Sequence, residues 1–202
     1  MNGQTWSDAG IPFEAHGGYR RPVQLRILGP LEVTQGNGPI PLGGPKQRAV
    51  LAHLLLRANH LVPTETLIDE VWGEEPPEAV RNSLQSYASH LRKALGPERL
   101  EGSRAGYVLR ADPSEVDAFR FQSLLRDARR LLPIEPNAAV GAFDEALALW
   151  RGPAFADLTD ERSLLAEAAR LDELRLAAIE DRTEAMLTLG RHAEVIGELE
   201  ML

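Results

Sequence analysis

Cysteine is absent from this 202-residue chain, which excludes a disulfide framework, a thiolate metal site and a catalytic thiol. No apolar run approaches the roughly 20 residues that a bilayer-spanning helix needs, and charge interrupts each candidate. The N-terminus has neither the basic start nor the apolar stretch of a secretory signal. These absences predict a cytoplasmic protein with no membrane partner.

Catalytic groupings are equally scarce. Gly43-Gly44-Pro45-Lys46 has the outline of a phosphate loop, but the GxxxxGK[ST] spacing is missing and Pro45 removes one of the amides that would cradle phosphate. The five histidines (16, 53, 60, 90 and 192) lack ligand spacing, so neither a metal nor another cofactor is expected. Ser103 and Ser163 have no histidine in a sequence context that would activate them. The pairs Asp144-Glu145 and Asp172-Glu173 lie beside apolar stripes at helical spacing and read as solvated faces. An enzyme is not expected.

What the chain does carry is an ordinary globular composition, 44% hydrophobic and 26% charged, with its charge unevenly divided. Residues 20–110 hold 12 Lys/Arg against 9 Asp/Glu, a net of +3, whereas residues 111–202 hold 10 against 19, a net of −9. A basic patch on the first part could bind phosphate although the whole chain is acidic.

Residues 1–21 show no periodicity and are expected to form a disordered leader. VQLRIL (23–28), LEVTQ (31–35) and PIPL (39–42) then read as three short strands, separated by Gly29-Pro30 and Gly36-Asn37-Gly38. A helix follows from Pro45 to about Ala58, with Ala49, Leu51, Ala52, Leu54, Leu55 and Leu56 as its apolar face. A second helix, with Thr64 as N-cap candidate, buries Leu67, Ile68, Val71 and Trp72 and closes at Gly73. A third runs from about Glu78 to Leu95, and a hairpin joins Arg99–Glu101 to Gly106–Arg110. Strands, three helices and a hairpin form the order of a winged helix-turn-helix, predicted over 22–111. Residues 112–202 read as helices only: Val116–Leu132 with Phe119, Leu124, Leu125, Ala128 and Leu131/Leu132 inward, then Asn137–Trp150, Leu164–Leu189 and Arg191–Leu202. The predicted fold is therefore mostly α with small β, a winged helix followed by an all-α array like that of tetratricopeptide repeats. The last helix has few partners, so the array is expected to be truncated, with exposed apolar surface over 190–202.

On a helical wheel, Val80, Leu84, Tyr87, Ala88, Leu91 and Leu95 share one arc of the third helix. Asn82, Ser86, Ser89 and Lys93 lie opposite, flanked by Gln85, His90, Arg92 and Ser83, without a single acid. Asn and Gln can bond adenine bidentately, and Arg and Lys can take guanine or phosphate. An ordinary surface helix lacking acids would show the same wheel. Arg104 at the hairpin tip suits a minor groove, or an exposed turn with one arginine.

Taken together, LGPLEV (28–33), PLGGPKQRAVLAHLLL (41–56), LIDEVWGEEPPEAVRNSLQSYASHLRKALG (67–96) and GYVL (106–109) resemble the Streptomyces antibiotic regulatory protein (SARP) family and, more broadly, the OmpR/PhoB-type DNA-binding domain. DAFRF (117–121), ALALWRGPAFADL (146–158) and LDELRLAAIEDRTEAMLTLGRHAEVIGELE (171–200) resemble the bacterial transcriptional activation domain of the same family. The resemblance implies an activator of secondary-metabolite (antibiotic) gene clusters, nucleoid-associated, that binds direct repeats in promoter double-stranded DNA and recruits RNA polymerase holoenzyme, with two copies head to tail on the DNA. It implies a recognition helix at 78–95 and a wing at 99–110. Thr64 and Trp72 would lie against the DNA backbone and Arg92 and Lys93 on phosphate, and Arg81 and Tyr107 complete the expected contact set with Asn82, Ser83, Gln85, Ser86, Ser89, His90 and Arg104. The loop Gly73, Glu74, Glu75, Pro76 and Pro77 would face the polymerase. Two other readings remain: the N-terminal piece of a larger ATPase-containing regulator, and an interaction scaffold whose winged helix does not bind DNA.

Overall fold

The computed structural model describes residues 23–36 and 38–200; the expected leader and Asn37 lie outside them. The chain opens with an antiparallel meander of β1 (Val23–Arg26), β2 (Glu32–Gln35) and β3 (Gly38–Pro39). Leu25 sits opposite Val33 in register. Val23, Leu25 and Val33 face inward while Gln24 and Glu32 face out, as a one-sided sheet requires. All three strands are shorter than the sequence pattern predicts, β2 by Leu31 alone. β1 stops at Arg26 because the backbone of Ile27 and Leu28 bonds the second half of the chain. β3 shrinks because Pro39 and Pro41 lack an N–H for a ladder, although Ile40 N still donates to Val33 O at 2.8 Å.

α1 (Pro45–Leu56) starts on proline and buries every residue from Ala49 to Leu55. A helix covered all round acts as the central post of its domain. α2 (Thr64–Trp72) ends at Gly73, whose φ of +72° suits glycine and whose N–H donates to Asp69 O. Thr64 is not the expected N-cap: Pro63 holds that position, and Thr64, the first helical residue, sends its N–H to Ala105 O instead. α3 (Val80–Leu95) begins two residues later than expected, because Pro76-Pro77 precede it and Val80 N closes a turn onto Pro77 O. Its buried residues are Val80, Leu84, Ala88, Leu91 and Leu95, with Tyr87 half-buried. β4 (Val62–Pro63), β5 (Leu100–Gly102) and β6 (Gly106–Leu109) form a second antiparallel sheet in the order β4-β6-β5. β4 was not predicted, since two residues ending in proline leave no readable pattern.

A 3-10 turn at Pro113–Glu115, capped by Asp112, leads into α4 (Asp117–Leu131), α5 (Pro136–Leu147), α6 (Arg162–Thr188) and α7 (His192–Leu199). Successive helices pack on one another, as the repeat-like reading expects. α4 buries Leu125 and Ala128 as expected and also Phe121, which was not among the expected inward residues, whereas Phe119, Leu124, Leu131 and Leu132 are half-buried against the core. α5 stops at Leu147 rather than Trp150. Trp150 leaves the helix to meet Phe121 edge-on at 5.5 Å, with the Arg175 guanidinium 5.0 Å from its ring centre. Ile196 of α7 is 56% exposed, and α6 also carries exposed Leu165, Leu176, Ile179 and Leu187. No helix among the described residues is long and apolar enough to cross a membrane.

One buried cluster runs from Val23 through to Ala178, so both halves of the chain share a core. At the seam, the turn Ile27–Leu31 meets almost all its backbone hydrogen-bonding needs across the boundary. Ile27 N and Leu28 N donate to the Asp117 carboxylate at 2.8 and 3.0 Å. Ile27 O, Leu28 O and Gly29 O accept from the amides of Phe155, Arg151 and Ala156, and Leu31 N donates to Asp157. Burial pushes the Asp117 carboxyl up, while these amides and Arg151 pull it back.

Candidate nucleic-acid interface

The winged half leaves one continuous polar surface open. On α3, Arg81, Asn82, Gln85, Ser86, Ser89, His90 and Lys93 are exposed, and Ser83 and Arg92 are half-buried. The apolar residues at positions 80, 84, 88, 91 and 95 anchor the opposite face to α1 and the second sheet, which fixes the direction of the polar one. No acid lies within α3. Among the described residues no carboxylate pairs with Lys93 or Arg92, whereas Arg81 is matched by exposed Glu65 at the start of α2.

The wing lies directly beside this face. Arg92, in the last turn of α3, donates from Nε to Leu100 O at 2.8 Å, fastening the helix to β5. Gly102 makes room for that guanidinium: a Cβ there would lie 2.9 Å from Arg92 Nη2 and 3.2 Å from the Tyr107 ring. Arg104 is exposed at the tip, in a turn closed by Ser103 N to Gly106 O at 2.8 Å. Tyr107 departs from the expected contact set. It is only 9% exposed, packed within the wing, and burial raises its phenol while the Arg92 charge lowers it. Arg99, next to the wing, is buried and bonded through both terminal nitrogens to Glu115 at 2.7 Å, which joins the wing to the linker instead of presenting a charge.

Thr64 is half-buried against the wing turn. Trp72 is half-buried and stacks in parallel on Tyr87, with ring centres 6.1 Å apart. Between Trp72 and α3, every residue of Gly73–Pro77 is exposed. The loop projects from the end of α2, beside the acid-free face.

A second polar grouping was not foreseen. Ser163, expected to lack a histidine partner, has its Oγ 3.0 Å from Nε2 of His53, and Nδ1 of His53 lies 3.0 Å from Oε2 of Glu70. A serine, histidine and carboxylate in a chain invite a catalytic reading, but Ser163 Oγ also donates to Glu70 O at 2.8 Å, which engages its one proton with a backbone carbonyl. Burial alone would raise the Glu70 carboxyl. Hydrogen bonds and charge from His53 and Arg57 outweigh it and bring the group from 4.5 down to about 2. Nothing in the sequence flags these partners, which lie 110 residues apart for His53 and Ser163. Among the described residues no group of His, Asp and Glu could hold a metal ion.

A helix-turn-helix on a shared core, a wing bolted to its third helix and an appended helical array define a winged-helix transcriptional regulator. Residues 39–109 match the family described as "Transcriptional regulatory protein, C terminal" and residues 116–202 match "Bacterial transcriptional activator domain". The chain is 37% identical to the transcriptional regulator RedD of Streptomyces coelicolor, over 97% of this chain and 57% of RedD. It is 34% identical to the regulatory protein DnrI of Streptomyces peucetius, over 89% of this chain and 71% of DnrI. A solved structure of Mycobacterium tuberculosis EmbR in complex with low affinity phosphopeptide superposes with a TM-score of 0.85 at 35% identity, over 89% of this chain and 49% of that one. The chain belongs to the Streptomyces antibiotic regulatory protein family of transcriptional regulators.

Proposed function

We propose that this protein is a sequence-specific DNA-binding activator that docks α3 in the major groove of promoter DNA and the wing in the adjacent minor groove. It binds direct repeats as two copies head to tail and recruits RNA polymerase holoenzyme through Gly73–Pro77, at an antibiotic gene cluster. The observation that carries the reading is the exposed acid-free face of α3, with Asn82 and Gln85 along it and, at its flanks, Lys93 and Arg104, which no carboxylate pairs among the described residues. In this reading Asn82 and Gln85 read base edges, Ser83, Ser86, Ser89 and His90 lie along the groove, and Thr64, Trp72, Arg92 and Lys93 meet the backbone. Arg81 is partly neutralised by Glu65 and contributes less, and Tyr107 acts by shaping the wing. The boundary near residue 111 separates the DNA-reading half from the activating half.

The test is binding to a duplex that the protein itself selects from a randomised pool. Asn82→Ala and Gln85→Ala should each cost about 1–3 kcal/mol on the selected sequence and relax base preference. Lys93→Ala should weaken all sequences alike and reduce the salt slope by about one. Binding that survives all three substitutions removes α3 from the groove. A response indifferent to salt, with polymerase as the sole ligand, makes the chain an interaction scaffold.

A further inference from the structure

Helix α2 ends at the loop Gly73–Pro77, and its last carbonyls have no partner within the helix. Asp69 O is taken by Gly73 N. The next two are taken from outside. Glu70 O accepts from Ser163 Oγ at 2.8 Å, and Ser163 stands in the first turn of α6, in the activation half. Val71 O accepts from Lys46 Nζ at 2.6 Å, and that ammonium is held by both carboxylate oxygens of Glu161, at 3.0 and 3.1 Å. Glu161 is only 7% exposed and immediately precedes α6. His53, 1% exposed, closes the arrangement, with Nε2 3.0 Å from Ser163 Oγ on one side and Nδ1 3.0 Å from the Glu70 carboxylate on the other, which Arg57 also grips. A cation at a helix C-terminus is favoured by the helix dipole as well.

We infer that the activation half caps the C-terminal end of α2, with Ser163 and the Glu161–Lys46 pair as positioning residues that fix the geometry of the α2–α3 loop. The DNA-reading face of α3 is anchored separately, by its apolar stripe. The loop in front of it is set from the other half of the protein. The functional consequence rests on the proposed role of the loop in meeting polymerase, but the capping does not.

The experiment is hydrogen exchange on the full chain, comparing wild type with Ser163→Ala, Ser163→Thr and Glu161→Gln. Loss of one cap should speed amide exchange in peptides spanning residues 70–78 by about fivefold, the factor for one hydrogen bond. Peptides spanning 84–91 of α3 should be unchanged, and Ser163→Thr, which keeps the hydroxyl, should restore protection. Affinity for the selected duplex should stay within about twofold of wild type, while holoenzyme retained on that duplex falls in the Ser163→Ala and Glu161→Gln variants. Unchanged exchange at 70–78, or an equal rise at 84–91 from general destabilisation, overturns the capping. Faster local exchange with undiminished holoenzyme retention upholds the capping and removes the loop from the polymerase contact.

Discussion

Gly102 and Gly106 flank the wing tip, and replacing each by alanine should have opposite consequences. At Gly106, φ is +156° and a Cβ would lie 2.0 Å from Val62 O and 2.8 Å from Pro63 Cα. Both atoms are backbone of β4, so relief requires parting β4 from β6. Backbone strain of about 1–3 kcal/mol joins the loss of one or two ladder hydrogen bonds at about 1 kcal/mol each. Gly106→Ala should therefore cost about 2–5 kcal/mol, a large share of an ordinary domain's stability of about 5–15 kcal/mol. At Gly102 the obstructing atom is Arg92 Nη2, the free end of a flexible side chain, 2.9 Å from the new Cβ. It can swing away, and the slight crowding of the Tyr107 ring at 3.2 Å together with the lost Arg92 bond costs about 1 kcal/mol of stability. What disappears is the bond from Arg92 Nε to Leu100 O, which holds the wing to α3. A hydrogen bond from a charged donor contributes about 1.5–3 kcal/mol, part of which water restores. Affinity for the selected duplex should then fall by about 1–2 kcal/mol, or roughly 5- to 30-fold. Urea unfolding and fluorescence titration of the same preparations separate the two effects. Gly106→Ala unfolding at the wild-type midpoint, or Gly102→Ala lowering stability while leaving DNA affinity intact, would refute these roles of the two glycines.

Two further outcomes follow from buried carboxylates. Asp117→Ala strands the N–H groups of Ile27 and Leu28 inside the seam, at about 1–3 kcal/mol each; urea unfolding should show a loss of about 2–5 kcal/mol, and Asp117→Asn, which keeps one acceptor, a smaller one. Glu70 is lowered on folding from 4.5 to about 2, so its contribution is complete above about 4.5 and is lost as pH falls through about 2. At about 1.4 kcal/mol per tenfold change this is at most about 3.5 kcal/mol, and solvent screening of the partly exposed pair reduces it to about half. The stability gap between wild type and Glu70→Gln should shrink by about 1–2 kcal/mol between pH 5 and pH 2; a constant gap would show that Glu70 titrates normally.

The two faces of α3 were legible because an amphipathic helix writes its orientation in its own periodicity: Val80, Leu84, Ala88, Leu91 and Leu95 point inward whatever they meet. The same local logic placed α1, α2 and the hairpin, and Gly73 announced the end of α2. Local logic failed where backbone groups found distant partners. β1 is cut short by Asp117, Thr64 loses its cap role because Pro63 occupies it and Ala105 O takes its amide, and β4 exists only because β6 lies beside it. Phe119 and Phe121 are two residues apart with equal hydrophobicity, and it is Phe121 that shares the stripe of Ala118, Leu125 and Ala128 and is buried against Trp150.

The order of the principal strands and helices of the winged half, and the face that α3 would bury, were thus determined by sequence alone, because both depend on residues a few positions apart. The tertiary structure alone decided which charges are free and which are spent. Lys93, Arg99 and Lys46 look alike in the chain. Among the described residues Lys93 has no carboxylate partner, Arg99 is bonded to Glu115, and Lys46 is held between Val71 and Glu161. A charge's role is set by what stands within a few ångströms of it, and those neighbours are brought together only by folding.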